Sequence, residues 1–411
     1  MARSLSLAHA ALILALAAGA LRADDDLAAL NARGVELLRA KRYAEAAAVL
    51  ARAHALAPTE PAVAANLAQA RASLGIELLG QGRTADGLHA LRAAHELAPG
   101  STDVRFWLGV AYYRHRDFAA AAVELRALLD TEPGRVQAWE YLGFCHYQRD
   151  QLAKARAAWD AALALAPADA LLARWKAKLA REEPVERDLT DHLTARFKVR
   201  HAPDQAGIAR DLGPVLEDAY RDLADRFAIR PAGPITVVLY TDAAFLRATG
   251  SSRWVGGLYD GKLRLLAEPL DLPGGTIRRV ARHELVHLFV GSLALACPAW
   301  LNEGLAQWLE PADPSRDKLG LARALAADRL HPMADLSADL QALGEADRIA
   351  LAYAQSLSFV AFLQAKGSLE GVLDLVRAPT QGRSLDDACR ARYRVGFAEL
   401  EAEWRGTLSG R

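Results

Sequence analysis

The chain has 411 residues, of which 52% are hydrophobic, and its 50 Lys+Arg balance 50 Asp+Glu for a formal net charge of zero. That length supports two or more well-buried domains, and the missing basic excess argues against a nucleic-acid partner. Three cysteines, Cys145, Cys297 and Cys389, are too few and odd in number for a disulfide scaffold, although pairing of Cys297 with Cys389 stays open.

Residues 1–23 read as a secretory signal. Arg3 precedes an apolar run from Leu5 to Ala18, with Ala18-Gly19-Ala20 or Leu21-Arg22-Ala23 as small-residue cleavage sites. The run is shorter than the ~20 residues of a membrane helix. The expectation is a secreted or periplasmic protein with no membrane span after signal cleavage.

From residue 27 to 182 the chain repeats itself. Gly34, Gly75, Gly109 and Gly143 are spaced 41, 34 and 34 residues apart. Pro58, Pro99, Pro133 and Pro167 keep those intervals, as do Ala46, Gly87, Ala121 and Ala155, and Leu50, Leu91, Leu125 and Trp159. A 34-residue unit with these small residues and a closing Pro resembles the tetratricopeptide repeat, which implies four helix-turn-helix units in an all-α solenoid. The longer first interval adds seven residues, about two helical turns, which an extended helix from about Pro61 absorbs. Asp169 to Glu182 reads as a capping helix, with Leu172, Trp175 and Leu179 inside and Lys176, Lys178 and Arg181 outside. Residues 183–188 read as a linker. Phe106, Val110, Tyr113, Phe144 and Tyr147 either line a concave groove for a peptide or protein partner or pack repeat to repeat.

Residues 189–411 read as an α+β domain with a helical C-terminal part. Phe197 to His201 alternates like a strand, Ile208 to Phe227 has helical periodicity, and Ile235 to Tyr240 is a β-branched run suited to a central strand. Asp242 is placed to cap the short helix that follows. Asp260-Gly261 marks a two-residue hairpin between 256–259 and 262–266.

His283-Glu284-Leu285-Val286-His287 then puts two imidazoles four residues apart on one helix face, suiting two corners of a tetrahedral zinc ion at ~2.0–2.1 Å. Glu284 sits beside them as a general base able to take a proton from a metal-activated water and return it to a leaving amine. Glu303, 16 positions after His287, is reached by a reversal around Gly291 and Pro298 and offers a third ligand, leaving a fourth corner for water. The alternative is a core helix with two hydrogen-bonded histidines.

HELVH followed by Trp300-Leu301-Asn302-Glu303-Gly304-Leu305-Ala306 resembles the gluzincin metallopeptidases. The resemblance implies a zincin-like fold, Zn2+ held by His283, His287 and Glu303, Glu284 as base, and a polypeptide substrate added as a strand to the edge strand before the HExxH helix. It also implies a tyrosine donor to the oxyanion, for which Tyr353 is the candidate; the other reading of Tyr353 is a packed core residue. Gluzincin aminopeptidases carry a Gly-x-Met-Glu-Asn box where this chain reads Gly256-Gly257-Leu258-Tyr259-Asp260, so an endopeptidase is the expectation. Gln307, one turn after Glu303, is placed to orient a ligand histidine. His201 and His331 stand outside any pattern. The competing function is a catalytically silent tetratricopeptide scaffold or chaperone in the cell envelope.

Overall fold

A computed structural model describes residues 26–250, 257–268, 270, 276–294, 296–310 and 318–409. The expected signal segment, 1–23, and Gly256 lie outside them. The chain divides into two compact units, one up to Leu142 and one from Gly143 onward.

The first unit is helical: α1 (26–39), α2 (Tyr43–Leu56), α3 (Pro61–Gly80), α4 (Thr84–Leu97), α5 (Thr102–Arg114), α6 (Phe118–Leu129) and the start of α7 (Val136–Gln148). The glycine and leucine rows of the sequence meet here. A Cβ on Gly75 would lie 2.6 Å from Leu91 Cγ and one on Gly109 2.9 Å from Leu125 Cγ, so glycine lets paired helices close and the leucine fills the contact. The 20-residue α3 starts at Pro61 and takes up the extra turns. Of the two readings left open for the groove candidates, packing holds for Phe106 and Val110. Phe106 and Val110 are buried, and Phe106 packs edge-on against Trp107 and Tyr141, so these side chains fill the repeat stack instead of lining an open face.

The second unit opens with the rest of α7, α8 (Leu152–Leu165) and α9 (Ala170–Glu186). Trp159, Tyr147, Phe144 and Trp175 form a ring cluster there, and Tyr147 is wholly buried, which removes it from any groove. α9 begins at an Asp169 cap that accepts from Leu172 N–H, and it does not stop at residue 182. Residues 183–186, expected as linker, continue the helix through Pro184, and Glu182 and Glu186 are fully buried.

What buries those acids is a five-stranded sheet of order β1-β2-β3-β5-β4. Its strands are β1 (Thr190–Leu193), β2 (Phe197–His201), β3 (Ile235–Tyr240), β4 (Gly257–Tyr259) and β5 (Leu263–Leu266). β3 pairs in parallel with β2 and β5, and both edges are antiparallel. Side chains alternate between faces. Phe197, Val199, Ile235, Val237, Leu239, Leu263 and Leu265 join the main apolar core. The opposite face carries Lys198, Arg200, Tyr240 and Arg264, with Lys262 from the turn before β5 joining their partners.

Arg264 is fully buried and every one of its donors is used. Its Nε donates to Asp260 at 3.0 Å, Nη1 to Glu186 at 2.7 Å and to Tyr240, and Nη2 to Glu182 at 2.7 Å and to Tyr147 Oη at 2.8 Å. Lys262 Nζ reaches Asp150 and Glu186, both at 2.9 Å. Lys178, expected outside, instead lies over the Trp175 and Tyr147 rings and meets Asp260 at 2.8 Å. Burial alone would raise the Glu186 carboxyl, but Lys262 and Arg264 hold it down at about 2. Between the ordinary 4.5 and about 2 the unfolded chain binds the extra proton, so this stabilisation is present above 4.5 and is lost as pH falls toward 2. Urea titrations across that window are expected to show a fall on the order of 3 kcal/mol that Glu186→Gln flattens.

The rest of the unit comprises α10 (Ala206–Phe227), α11 (Asp242–Thr249), α12 (Thr276–Leu293), α13 (Ala299–Leu309), α14 (Lys318–Ala326), α15 (Ala346–Arg377, broken at Ser368), α16 (Leu385–Tyr393) and α17 (Phe397–Leu408). α11 is capped by the Thr241 hydroxyl, not by Asp242, which already lies inside the helix. The hairpin loop has three residues, Asp260 to Lys262, because Tyr259 pairs with Leu263. Cys145, Cys297 and Cys389 are all free.

Candidate metal centre

α12 buries Ile277, Val280, Ala281, Leu285, Val286, Leu288 and Phe289 in the core, which turns His283 and His287 toward a cleft of about 1340 Å³. α13 runs past them from Pro298. It is positioned by Gly304, where a Cβ would collide with the Ser356 carbonyl of α15, so glycine lets α13 and α15 touch. Three sequence-selected groups converge: the ligand atoms of His283, His287 and Glu303 all lie within 4.8 Å of one another. His283 Nε2 is 3.5 Å and His287 Nε2 3.7 Å from Glu303 oxygens.

The histidine tautomers follow from what stands behind them. His287 Nδ1 lies 3.0 Å from Asn302 Oδ1 and His283 Nδ1 2.5 Å from Glu310 Oε1; both oxygens only accept, so each Nδ1 carries the proton and each Nε2 faces the site. Arg279 holds the other Glu310 oxygen at 2.7 Å. For zinc bonds of ~2.0–2.1 Å, tetrahedral ligand atoms stand about 3.3 Å apart, so the separations to Glu303 need only slight tightening. The charge also fits. Burial disfavours a charged His283, but hydrogen bonds with Glu303 and Glu310 outweigh it and lift the imidazole to about 10. A pocket that draws a proton this strongly is short of positive charge, which a divalent cation would supply while displacing that proton.

Glu284 is buried beside the two rings. Burial raises its carboxyl above the ordinary range, opposed by His283 and His287 and by a hydrogen bond from the Tyr259 backbone N–H. That contact places edge strand β4 directly over the carboxylate. A Cβ on Gly257 would lie 2.9 Å from Glu284 Oε1, so only glycine lets the strand pass this close. Tyr353 lines the same cleft, accepts from Gln341 Nε2 at 3.3 Å, and is pushed by burial and Glu303 up to about 12, so its hydroxyl keeps its proton at neutral pH.

Gln307 does not orient a histidine. Its amide donates to the Glu303 and Tyr353 carbonyls, and Glu310 does the orienting. Sequence pattern alone assigns no role to Asn302 or Glu310, whereas Gly257 reads from sequence either as a residue allowing close backbone approach or as a turn residue, and the structure favours the first. Glu310→Gln removes the acceptor charge behind His283 and is expected to weaken zinc affinity by about 10–100-fold, read by competition with a chromogenic chelator.

A family model described as Peptidase MA superfamily matches residues 216–410, and two tetratricopeptide repeat models match 73–134 and 136–169. The chain joins tetratricopeptide repeats to a Peptidase MA superfamily domain. That domain match starts within α10 and takes in β3, the HELVH helix, α13 and α15. Tetratricopeptide repeats suggest protein–protein interaction, and a Peptidase MA domain hints at protease activity. No curated protein matches the sequence. Among solved structures, MamA from AMB-1 is similar over 39% of this chain and 84% of its own at 20% identity and TM-score 0.33. A thermophilic TPR protein in Thermus thermophilus is similar over 38% and 98% at 19% identity and TM-score 0.23. Scores that low say nothing about activity. Among the described residues, no helix is long and apolar enough to cross a membrane.

Proposed function

We propose that the Peptidase MA superfamily domain is a zinc-dependent endopeptidase that cuts polypeptides in the cleft beneath β4, and that the repeats engage a protein partner or substrate. The observation that carries this reading is the convergence of His283, His287 and Glu303 with a buried Glu284 beside them. When bound, zinc supplies Lewis-acid polarisation of a carbonyl and lowers the pKa of water. His283, His287 and Glu303 would hold it, with Glu310 and Asn302 fixing the rings.

Glu284 takes a proton at its carboxylate from the attacking water and passes it to the leaving amine. Tyr353 Oη stays protonated and donates toward the oxyanion, a contribution on the order of 2.7–4 kcal/mol. As the terminal strand of the sheet, β4 is where an extended chain would add by backbone hydrogen bonds. The region matching an exopeptidase's amine-binding box holds no acidic side chain before Asp260, which favours internal cleavage.

Residues 1–23 are proposed to direct export and be removed, which N-terminal sequencing of the exported protein reads. The functional test is cleavage of N-acetylated unfolded polypeptides by the full chain, with fragments identified by mass spectrometry. Internal cuts that chelation stops and zinc restores are expected. A zinc-loaded chain that cuts nothing, or trims only free N-termini, contradicts the reading. In the same assay Tyr353→Phe is expected to lower turnover by about 10²–10³-fold with unchanged zinc content.

A further inference from the structure

β5 has one face in the apolar core under α12 and the other against the buried ions of α9, which makes the hairpin a bridge between them. Leu263 and Leu265 pack with Ile277 and Val280 of the HELVH helix. Arg264, between them in sequence, points the other way into Glu182 and Glu186. Arg264 is also the register partner of Leu258 in β4, the residue before Tyr259, whose N–H holds Glu284. The hairpin tip is seated as well. Gly261 has φ +102°, and a Cβ there would collide with the Gln148 amide at the end of α7. Lys262, at that tip, is fully buried between Asp150 of the α7–α8 turn and Glu186.

We infer that this buried ionic cluster is a positioning device for the general base: Asp150, Glu182 and Glu186, through Lys262 and Arg264, fix the β4–β5 hairpin at the height where β4 meets Glu284. The inference rests on the peptidase reading for its catalytic consequence, and on geometry alone for its structural one. The physical reason is directional. A purely apolar contact lets a hairpin slide, whereas the fork of Arg264, with five donors on five partners, is satisfied at one register only. Slippage of β4 would also drive Gly257 off Glu284 and put a side chain where none fits. The last helices preceding the sheet are thus part of the catalytic unit, in keeping with the division of the chain at Gly143 and not at the expected 183–188 boundary.

The test uses the full chain carrying Glu186→Gln, with Lys178→Met as a milder variant that removes a cation at the rim of the cluster, where it meets Asp260, Glu182 and the Trp175 and Tyr147 rings. Leu400→Ala, a core change in α17, serves as a stability-matched control. In Glu186→Gln, amide hydrogen exchange in 257–266 is expected to speed up by about 10-fold or more relative to α15, with unchanged zinc stoichiometry. Turnover is expected to fall on the order of 10²-fold with little change in KM, as for a group displaced by about 1 Å, and Lys178→Met shifts both readouts the same way by less. Leu400→Ala lowers the melting temperature without selective exchange in 257–266. Unchanged hairpin exchange in folded Glu186→Gln and Lys178→Met overturns the inference. If the wild-type chain cuts no peptide, the peptidase reading fails while the exchange measurement still decides this one.

Discussion

Glu284→Gln is expected to lower peptide hydrolysis by about 10²–10⁴-fold while the chain still binds one zinc. The two halves of that outcome have separate causes. Glutamine keeps the size of the side chain and can still accept from the Tyr259 N–H, so β4 keeps its place. It has no carboxylate to take a proton, and Glu284 is no ligand: the converging ligand atoms belong to His283, His287 and Glu303. Relieving a buried carboxylate that burial already disfavours should leave the variant at least as stable as the parent. Metal analysis, thermal unfolding and turnover on one preparation check all three; near-parental turnover removes Glu284 from the reaction.

Glu303→Ala is expected to have a still broader effect. Removing the groups behind the ligands costs about 10–100-fold in metal affinity, so deleting a ligand itself should cost more than about 100-fold and take activity with it. Glu303 is also the anionic partner of both Nε2 atoms and a large part of the reason His283 is lifted to about 10. Without it the two imidazoles, edge-on with ring centroids 4.8 Å apart, lose the anion that both Nε2 atoms share. Equilibrium dialysis against buffered zinc measures the loss. Parental affinity in Glu303→Ala would mean that the metal, if bound, sits elsewhere.

How far the sequence reached depends on whether a feature is local. The repeat rows are local, and their glycine–leucine contacts follow from the spacing of Gly75 with Leu91 and Gly109 with Leu125. The metal residues are nearly so, since His283 and His287 share a helix and Glu303 lies on the next. Glu310 escapes a sequence reading because its partner lies 27 residues back and only the packing of α12 on α13 reveals it. Glu182-Glu183-Pro184-Val185-Glu186 looks like a polar linker for the same reason. Its two buried acids stand four apart on one helix face, and their cations come from Lys262 and Arg264, more than seventy residues downstream. The alternation Lys198-Val199-Arg200 and Lys262-Leu263-Arg264 holds the hint: strands with one cationic and one apolar face need an acidic layer to cover them. Aromaticity alone draws Tyr147 into a groove, whereas its hydroxyl serves Glu182 and Arg264.

The most direct measurement is X-ray diffraction from crystals of the full chain grown with zinc, recorded on either side of the zinc absorption edge. One strong anomalous peak is expected about 2.0–2.1 Å from His283 Nε2, His287 Nε2 and a Glu303 oxygen, with Glu284 outside bonding distance. No peak between those three residues, or a peak whose nearest atoms belong to other side chains, would contradict that expectation.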